Sequence, residues 1–357
     1  MRTRKVTIKD IATEAGVSIA LVSFVMNNKA DGKETYRVNK ETAQRILEVA
    51  EKLNYQPNNA ARTLRSGKTN TIGVIVSDIS NKFFADIARC IEDRAYKHKY
   101  TVLFGSTDEN PQKLENLIEV FRNKGIDGLI IVPCEGADEI IRNVALQNIP
   151  VVLLDREVPD TELSSVVLNN RRAGVETTQA LIRQGFTRIE MISYSMNLSN
   201  IREREEGYRF CMTEAGLNGR INIHHLRHDK LGKIDEIVRD AKMRNVEAFV
   251  FATNTLAANG LTAIFRNGWR VPQDFAMACF DSNEAFDIYK TAVAYVRPAD
   301  RAVRHGSPRP ADQEYRTERP ADQQHPYRTD ARNRRERHTR PGNGNFATYR
   351  GIISSFR

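Results

Sequence analysis

The 357-residue sequence predicts a small all-α head followed by an α/β core of two subdomains built on parallel, doubly wound sheets. Three observations carry this reading. Residues 7–28 read as a short helix, a glycine turn and a second helix; from Thr71 onward short apolar runs alternate with amphipathic stretches; and positive charge is concentrated at the two ends of the chain. The boundaries that follow are a head over 1–56, a connector over 57–70, a core over 71–297 and a basic tail over 298–357.

In the head, Thr7 and Asp10 form a capping-box-like start, and Ile8, Ile11, Ala12 and Ala15 recur at helical spacing on one face. Gly16 permits a tight turn, and Ser18 caps a second helix carrying Leu21, Val22, Val25 and Met26. Two helices this short cannot bury a core alone, so the apolar stripe from Val38 to Leu53 supplies a third. The layout implies a helix-turn-helix, in which the N-terminal residues of the second helix face the edges of DNA bases.

In the core, TIGVIVS from Thr71, YTVLFGS, GLIIVPC and PVVLLD alternate with amphipathic helices beginning near Phe83 and running from Pro111 to Lys124. After SSVVLN the pattern repeats, with helices over Arg172–Gln184 and Arg202–Ala215, RIEMISY, a strand near Ile221–Leu226, AFVFA and FAMACFD. Apolar strands separated by helices mean parallel sheets, and two such halves side by side enclose a cleft. Ligands of open α/β sheets bind beyond the carboxyl ends of the strands. Those ends hold Asp78, Asp155, Tyr194, Asn254 and Asp281, with Phe83 and Phe84 nearby, a set suited to a small polyhydroxylated or planar ligand.

Composition narrows the function classes. Residues 1–68 hold 13 Lys and Arg against 7 Asp and Glu, residues 298–357 hold the same numbers, and the middle is mildly acidic within a total of +9. A basic head on an acidic body fits DNA binding by the head alone. The polar start MRTRKVTIKD is no signal peptide and no apolar run is long enough to span a membrane, so a cytoplasmic protein without membrane contact is expected. Cys90, Cys134, Cys211 and Cys279 lie far apart without a CxxC pair and read as reduced core thiols. His224, His225 and His228 have no cysteine or acidic cluster to complete a metal site and read as surface histidines. No GxGxxG, Walker-type loop or GxSxG is present, so neither a cofactor nor an enzyme is expected.

Head, connector and core together resemble the lac repressor family, the LacI/GalR-type regulators. The resemblance runs from about Val6 to Arg297 through VTIKDIA, AGVS, LNYQPN, AARTLRSGKTNTIGVI, SNKFFADI, the RxxGY of Arg204–Tyr208 and the FDS of Phe280–Ser282. It implies a periplasmic-binding-protein-like core and a homodimeric transcription regulator that binds a pseudo-palindromic operator in double-stranded DNA under control of a small-molecule effector. Position by position, the resemblance implies phosphate-contacting or positioning roles for Thr7, Ser18, Ser23 and Asn27, and base-reading slots at Ile19 and Ala20. Both slots are apolar here, which shifts readout toward thymine methyl groups. Phe24, where basic residues are common, departs from the usual pattern. PNNAARTL resembles the family's hinge helix, with Asn58 and Ala61 on it and Leu64 as a minor-groove wedge. Arg204, Asn254 and Asp281 match effector-binding positions, with Asp155 and Phe83 beside them, and a sugar or sugar phosphate is the expected ligand. A soluble sugar-binding protein of periplasmic type would share the core but would need a signal peptide and would lack the head.

The tail breaks the pattern. From Pro298 it has 13 arginines, no lysine and no hydrophobic period, the composition of a disordered basic segment. Reading each codon from its second base permits Gln-Pro-Ile directly after Val296-Arg297, and then the amphipathic text EQFGTEALDLLIKNIERNG. That text restores the VRQP of the family, so the expectation is a shifted reading frame after Arg297 that replaced the final helix and strands and damages or abolishes regulation.

Overall fold

The computed structural model describes residues 6–31, 38–56, 63, 67–281, 286, 293–296, 302–304 and 317–318. The chain divides into two compact units, Met1–Gly67 and Lys68–Arg357.

In the first unit, α1 (Ile8–Ala15) starts with a complete capping box. The Thr7 amide and hydroxyl both donate to the Asp10 carboxylate, at 2.8 and 2.7 Å, and Thr7 Oγ1 accepts from the Asp10 amide. Gly16 ends the helix at φ 65°, a left-handed backbone that glycine adopts without a Cβ penalty. The Ser18 hydroxyl accepts from the Leu21 amide at the start of α2 (Ile19–Asp31), and Asn39 caps α3 (Lys40–Lys52). Ile11, Val22, Val25 and Ile46 are sealed from solvent between the three helices. The expected third helix is present, two residues shorter at its start because Asn39 caps it.

Among the described residues the second unit contains two six-stranded sheets. The first takes β1 (Thr71–Val76), β2 (Thr101–Ser106), β3 (Gly128–Ile131), β4 (Val151–Leu154), β5 (Ser164–Val167) and, out of sequence, β11 (Ala302–Arg304), in the spatial order β11-β5-β4-β3-β1-β2. The second takes β6 (Ile189–Tyr194), β7 (Ile223–Leu226), β8 (Ala248–Phe251), β9 (Ala276–Phe280), β10 (Val293–Val296) and β12 (Thr317–Glu318), in the order β12-β10-β9-β8-β6-β7. Every pairing is parallel except β11 on β5 and β12 on β10. Apolar residues fill both faces of the sheets, as parallel strands require. Each strand order reverses direction at its first strand, β1 or β6, and that reversal opens a crevice at the carboxyl ends.

Helices α4 (Lys82–Lys97), α5 (Pro111–Asn123) and α6 (Asp138–Ala145) pack on the first sheet. The second carries α7 (Asn170–Ile182), α8 (Ser199–Glu214), α9 (Ile234–Met243) and α10 (Asn254–Arg266). The two subdomains use the same entry device. The Thr69 and Asn70 amides donate to Asp127 ahead of β1, and the Thr187 and Arg188 amides donate to Glu247 ahead of β6.

One expectation needs amendment. The tail over 298–357, read as disordered, supplies the short strands β11 and β12. The physical reason is that β5 and β10 each offer an open edge, which a short extended segment pairs through its backbone whatever its side chains. The hinge-helix residues Asn58, Ala61 and Leu64 lie outside the described residues. Cys134, Cys211 and Cys279 are buried and Cys90 is half-buried.

Candidate functional site

The recognition candidate is α2. Its inward side chains Val22 and Val25 are 0% and 1% exposed, whereas Ile19 and Phe24 are 51% and 38% exposed. Ala20 is exposed beside Ile19, and Ser23 is half-buried. Ser18 is exposed, and its oxygen is used as a cap while its hydroxyl proton can donate outward. Thr7 is also exposed, but its hydroxyl proton is given to Asp10, which sequence reasoning did not anticipate for a phosphate contact. Asn27 lies on the same helix.

The second candidate is a cavity of about 290 Å³ between the two subdomains of the core. The five strand-end residues Asp78, Asp155, Tyr194, Asn254 and Asp281 all line it, and so do Phe83, Phe84 and Arg204. Each is delivered by local structure. Asp78 and Tyr194 follow or end the first strand of their sheets. Thr253 caps α10 and leaves Asn254 on its first turn, 3% exposed. Asp155 and Asp281 leave β4 and β9 at φ 66° and 63°, left-handed conformations that aspartate tolerates better than most side chains.

Arg204 shows why RxxGY is built as it is. Gly207 lets α8 cross α7 so closely that a Cβ there would sit 2.2 Å from the Arg171 carbonyl oxygen. Tyr208 buries its ring and donates its hydroxyl to the Ile189 carbonyl at 2.8 Å. One turn earlier, the Arg204 guanidinium lies 4.4 Å above the Phe280 ring, donating to Asn170 Oδ1 at 2.9 Å and to the Ala252 carbonyl at 2.7 Å. Glycine and tyrosine fix the helix, and arginine is thereby held at the cavity wall.

Sequence reasoning missed Glu109, Arg156, Asn200, Asp108 and His228, which also line the cavity. The signal for Asp108 and Glu109 was the TDEN that follows β2, a strand end left out of the strand-end set. Arg156 directly follows Asp155. It is sealed in the protein, donating to both Glu109 oxygens at 2.9 and 2.6 Å and to the Pro133 carbonyl. Burial works against the Arg156 charge, and the hydrogen bonds and charge of Glu109 outweigh it, so the guanidinium stays protonated above its ordinary range. His228, read as a surface histidine, is exposed but stands at the cavity beside Tyr194, with ring centroids 5.8 Å apart. Burial pushes the Tyr194 phenol up against a hydrogen bond with Thr253, and the charges of Glu109 and Asp78 push it further.

Hydrogen bonds span the cleft between the subdomains among the described residues. Asn200 donates to Asp155 Oδ2 at 2.9 Å, the Glu157 amide to Ser199, the Asn197 amide to Glu135, and Asn254 to Asn81 at 3.4 Å. Asp155 Oδ1 and Arg156 Nε are buried in the same wall with no hydrogen-bond partner among the described residues. Arg156 Nε faces Asp155 Oδ2 at 3.8 Å as an ion pair, which leaves Asp155 Oδ1 as an acceptor for a group that can donate, as a hydroxyl does.

The chain matches two family models, bacterial regulatory proteins of the lacI family over residues 7–58, and periplasmic binding proteins and sugar binding domain of LacI family over residues 69–295. It is 30% identical over 293 residues to the HTH-type transcriptional regulator RegA of Clostridium saccharobutylicum, covering 81% of this chain and 86% of RegA. It is likewise 30% identical over 280 residues to the ribose operon repressor of Halalkalibacterium halodurans, covering 77% and 80% of the two chains. A solved LacI family transcriptional regulator from Silicibacter pomeroyi superposes with a TM-score of 0.65 at 25% identity, over 82% of this chain and 87% of that one. The lac repressor dimer bound to operator shares the fold, with a TM-score of 0.70 at 21% identity over 82% and 88%. Among the described residues no helix is long and apolar enough to cross a membrane. The chain therefore belongs to the LacI family and is a DNA-binding transcriptional regulator with an effector-binding core.

Proposed function

We propose that the cleft binds a sugar through its hydroxyl groups and that its occupancy sets the affinity of a cytoplasmic homodimer for a pseudo-palindromic operator. The observation that carries this is the convergence of Asp155, Arg204, Asn254 and Asp281 on one cavity wall, where Asp155 Oδ1 is buried without a hydrogen-bond partner among the described residues. A buried polar atom left without a partner costs about 1–3 kcal/mol, which a ligand hydroxyl would recover. Phe83 supplies an apolar face, and Arg204, Asn254 and Asp281 are assigned as further contacts to effector hydroxyls or ring atoms. The ribose operon repressor among the relatives supports a carbohydrate. No chemistry is assigned to the cleft; we read it as a binding site alone.

The coupling is a matter of linkage. The hydrogen bonds across the cleft depend on the spacing of the two subdomains, so a ligand favouring one spacing changes the balance of core states by its differential affinity. In the head, Ser18, Ser23, Asn27 and Thr7 are assigned to phosphates or to positioning, Ile19 and Ala20 to base edges, and Asn58, Ala61 and Leu64 to a hinge at the operator centre. Isothermal titration of the full chain with neutral pentoses and hexoses, and with their phosphates, tests the cleft assignment. A saturable heat with a sugar, absent in Asp155→Asn, supports it. Equal binding by that variant would remove Asp155 from the site.

We also propose that the segment after Arg297 comes from a shifted reading frame. The core family match ends at residue 295, and the arginine-rich, lysine-free text begins three residues later. The cavity-lining residues among those described all precede that point, and the segment that followed the VRQP position has been replaced. An independent nucleotide read across the codons for Arg297 and Pro298 decides this. Nucleotides from Pro298 onward whose second-base reading gives Gln-Pro-Ile and then the amphipathic text support the shift, and nucleotides whose second-base reading meets a stop codon or lacks that text contradict it.

A further inference from the structure

The exposed side of α2 is chemically unusual for a surface that contacts DNA. Within the head, the large apolar side chains exposed among the described residues are Ile19 and Phe24, and both lie on this helix. Neither belongs to the cluster in which Ile11, Val22, Val25 and Ile46 meet, so packing of the head does not account for them. With Ala20 they take up the side of the helix opposite Val22 and Val25. At about 1.5 Å of rise per residue, Ile19 and Phe24 stand roughly 7.5 Å apart along the axis. That span equals about two base-pair steps of 3.4 Å.

None of Ile19, Ala20 and Phe24 can donate or accept a hydrogen bond through its side chain. The major-groove edges of guanine, adenine and cytosine offer only polar groups, whereas thymine adds a methyl group that apolar side chains contact. We propose that each half-site is read by Ile19, Ala20 and Phe24 through C5-methyl groups over a window of two to three base pairs, with Phe24 as the residue that sets the far end of that window. The selectivity is for the methyl group itself and not for the hydrogen-bonding edge of the base. This rests on the reading of α2 as the helix that enters the major groove.

The test uses the full chain and a library of random-sequence DNA duplexes. Selection yields a preferred duplex, which is then remade with deoxyuridine for each thymine, removing the methyl and keeping the pairing, and with 5-methylcytosine paired to guanine, keeping the methyl and changing the edge. Burying one methyl group is worth about a fourfold change in affinity. The expected result is a loss of about fourfold for each methyl removed in the window, recovery to within about twofold by 5-methylcytosine, and no recovery by unmodified cytosine. Phe24→Ala, which leaves the packed side of the helix intact, should abolish the methyl effect at one end of the window only. A selected site that is indifferent to deoxyuridine, or that lacks thymine in the window, overturns the proposal while leaving α2 as a DNA-reading helix. Failure to enrich any sequence overturns both.

Discussion

Replacing Gly207 by alanine should damage the core out of proportion to the single methyl group added. The new Cβ would lie 2.2 Å from the Arg171 carbonyl oxygen and 2.8 Å from both Gly174 Cα and the Val175 amide nitrogen. These are backbone atoms, so no side chain can swing away, and α7 and α8 must separate by about 1 Å to restore ordinary contact. Overpacking of this kind costs about 1–3 kcal/mol. The same separation stretches the 2.9 Å bond from Arg204 to Asn170, since Arg204 rides on α8 and Asn170 opens α7. Loss of a charged hydrogen bond adds about 1.5–3 kcal/mol. At about 2–4 °C per kcal/mol for a domain of this size, the melting temperature should fall by roughly 5–25 °C. Scanning calorimetry on the full chain reads this directly. Gly219→Ala, where nothing lies within 4 Å of the added atom, is the control and should melt with the parent. If Gly207→Ala also melts with the parent, the close crossing of α7 and α8 and the account of how Arg204 is placed are both wrong.

Other perturbations separate the remaining claims. Asp155→Asn keeps the size and the left-handed backbone of the site while replacing a carboxylate acceptor, so sugar affinity should fall about tenfold or more, and loss of the charge beside buried Arg156 should lower the melting temperature by a few degrees; an unchanged titration contradicts the assignment. Burial pushes the Glu190 carboxyl up, but hydrogen bonds from His224, Arg244 and Asn222 and the Arg244 charge hold it at about 2 against an ordinary 4.5. Its contribution, about 1–2 kcal/mol after allowance for solvent, is complete above pH 4.5 and is lost as pH falls toward 2. Glu190→Gln should therefore flatten the acid limb of a stability-versus-pH curve between those values, and an unaltered limb would contradict the pairing. Replacing residues 298–357 by the second-base reading should raise the melting temperature by several degrees, because native domains have only about 5–15 kcal/mol of stability and a lost helix uncovers apolar faces. No rise would count against the shifted frame.

Much of this architecture can be read from the chain because its signals are local. Thr7, Asp10, Gly16 and Ser18 mark helix ends through the chemistry of caps, and the apolar runs of β1, β3, β4 and β8 are too short and too continuous for amphipathic helices. Strand ends then name five residues of the cavity wall, since a parallel sheet places its ligands there. What escaped depends on long-range packing. Nothing adjacent to Arg156 in sequence says that Glu109, 47 positions earlier, will neutralise it. Likewise Gly174 and Gly207 are ordinary helix glycines until α7 and α8 are brought together. The strand at Ala302–Arg304 was illegible for another reason, because edge pairing is made by backbone groups and leaves little trace in side-chain pattern.

The most direct test of effector control is fluorescence anisotropy of the selected DNA duplex, titrated with the full chain in the absence and presence of each neutral sugar, for the parent and Asp155→Asn in parallel. The account predicts that at least one sugar changes the DNA affinity of the parent about fivefold or more, and that the same sugar leaves the variant unchanged. A DNA affinity that no sugar alters, or one altered equally in both proteins, would contradict it.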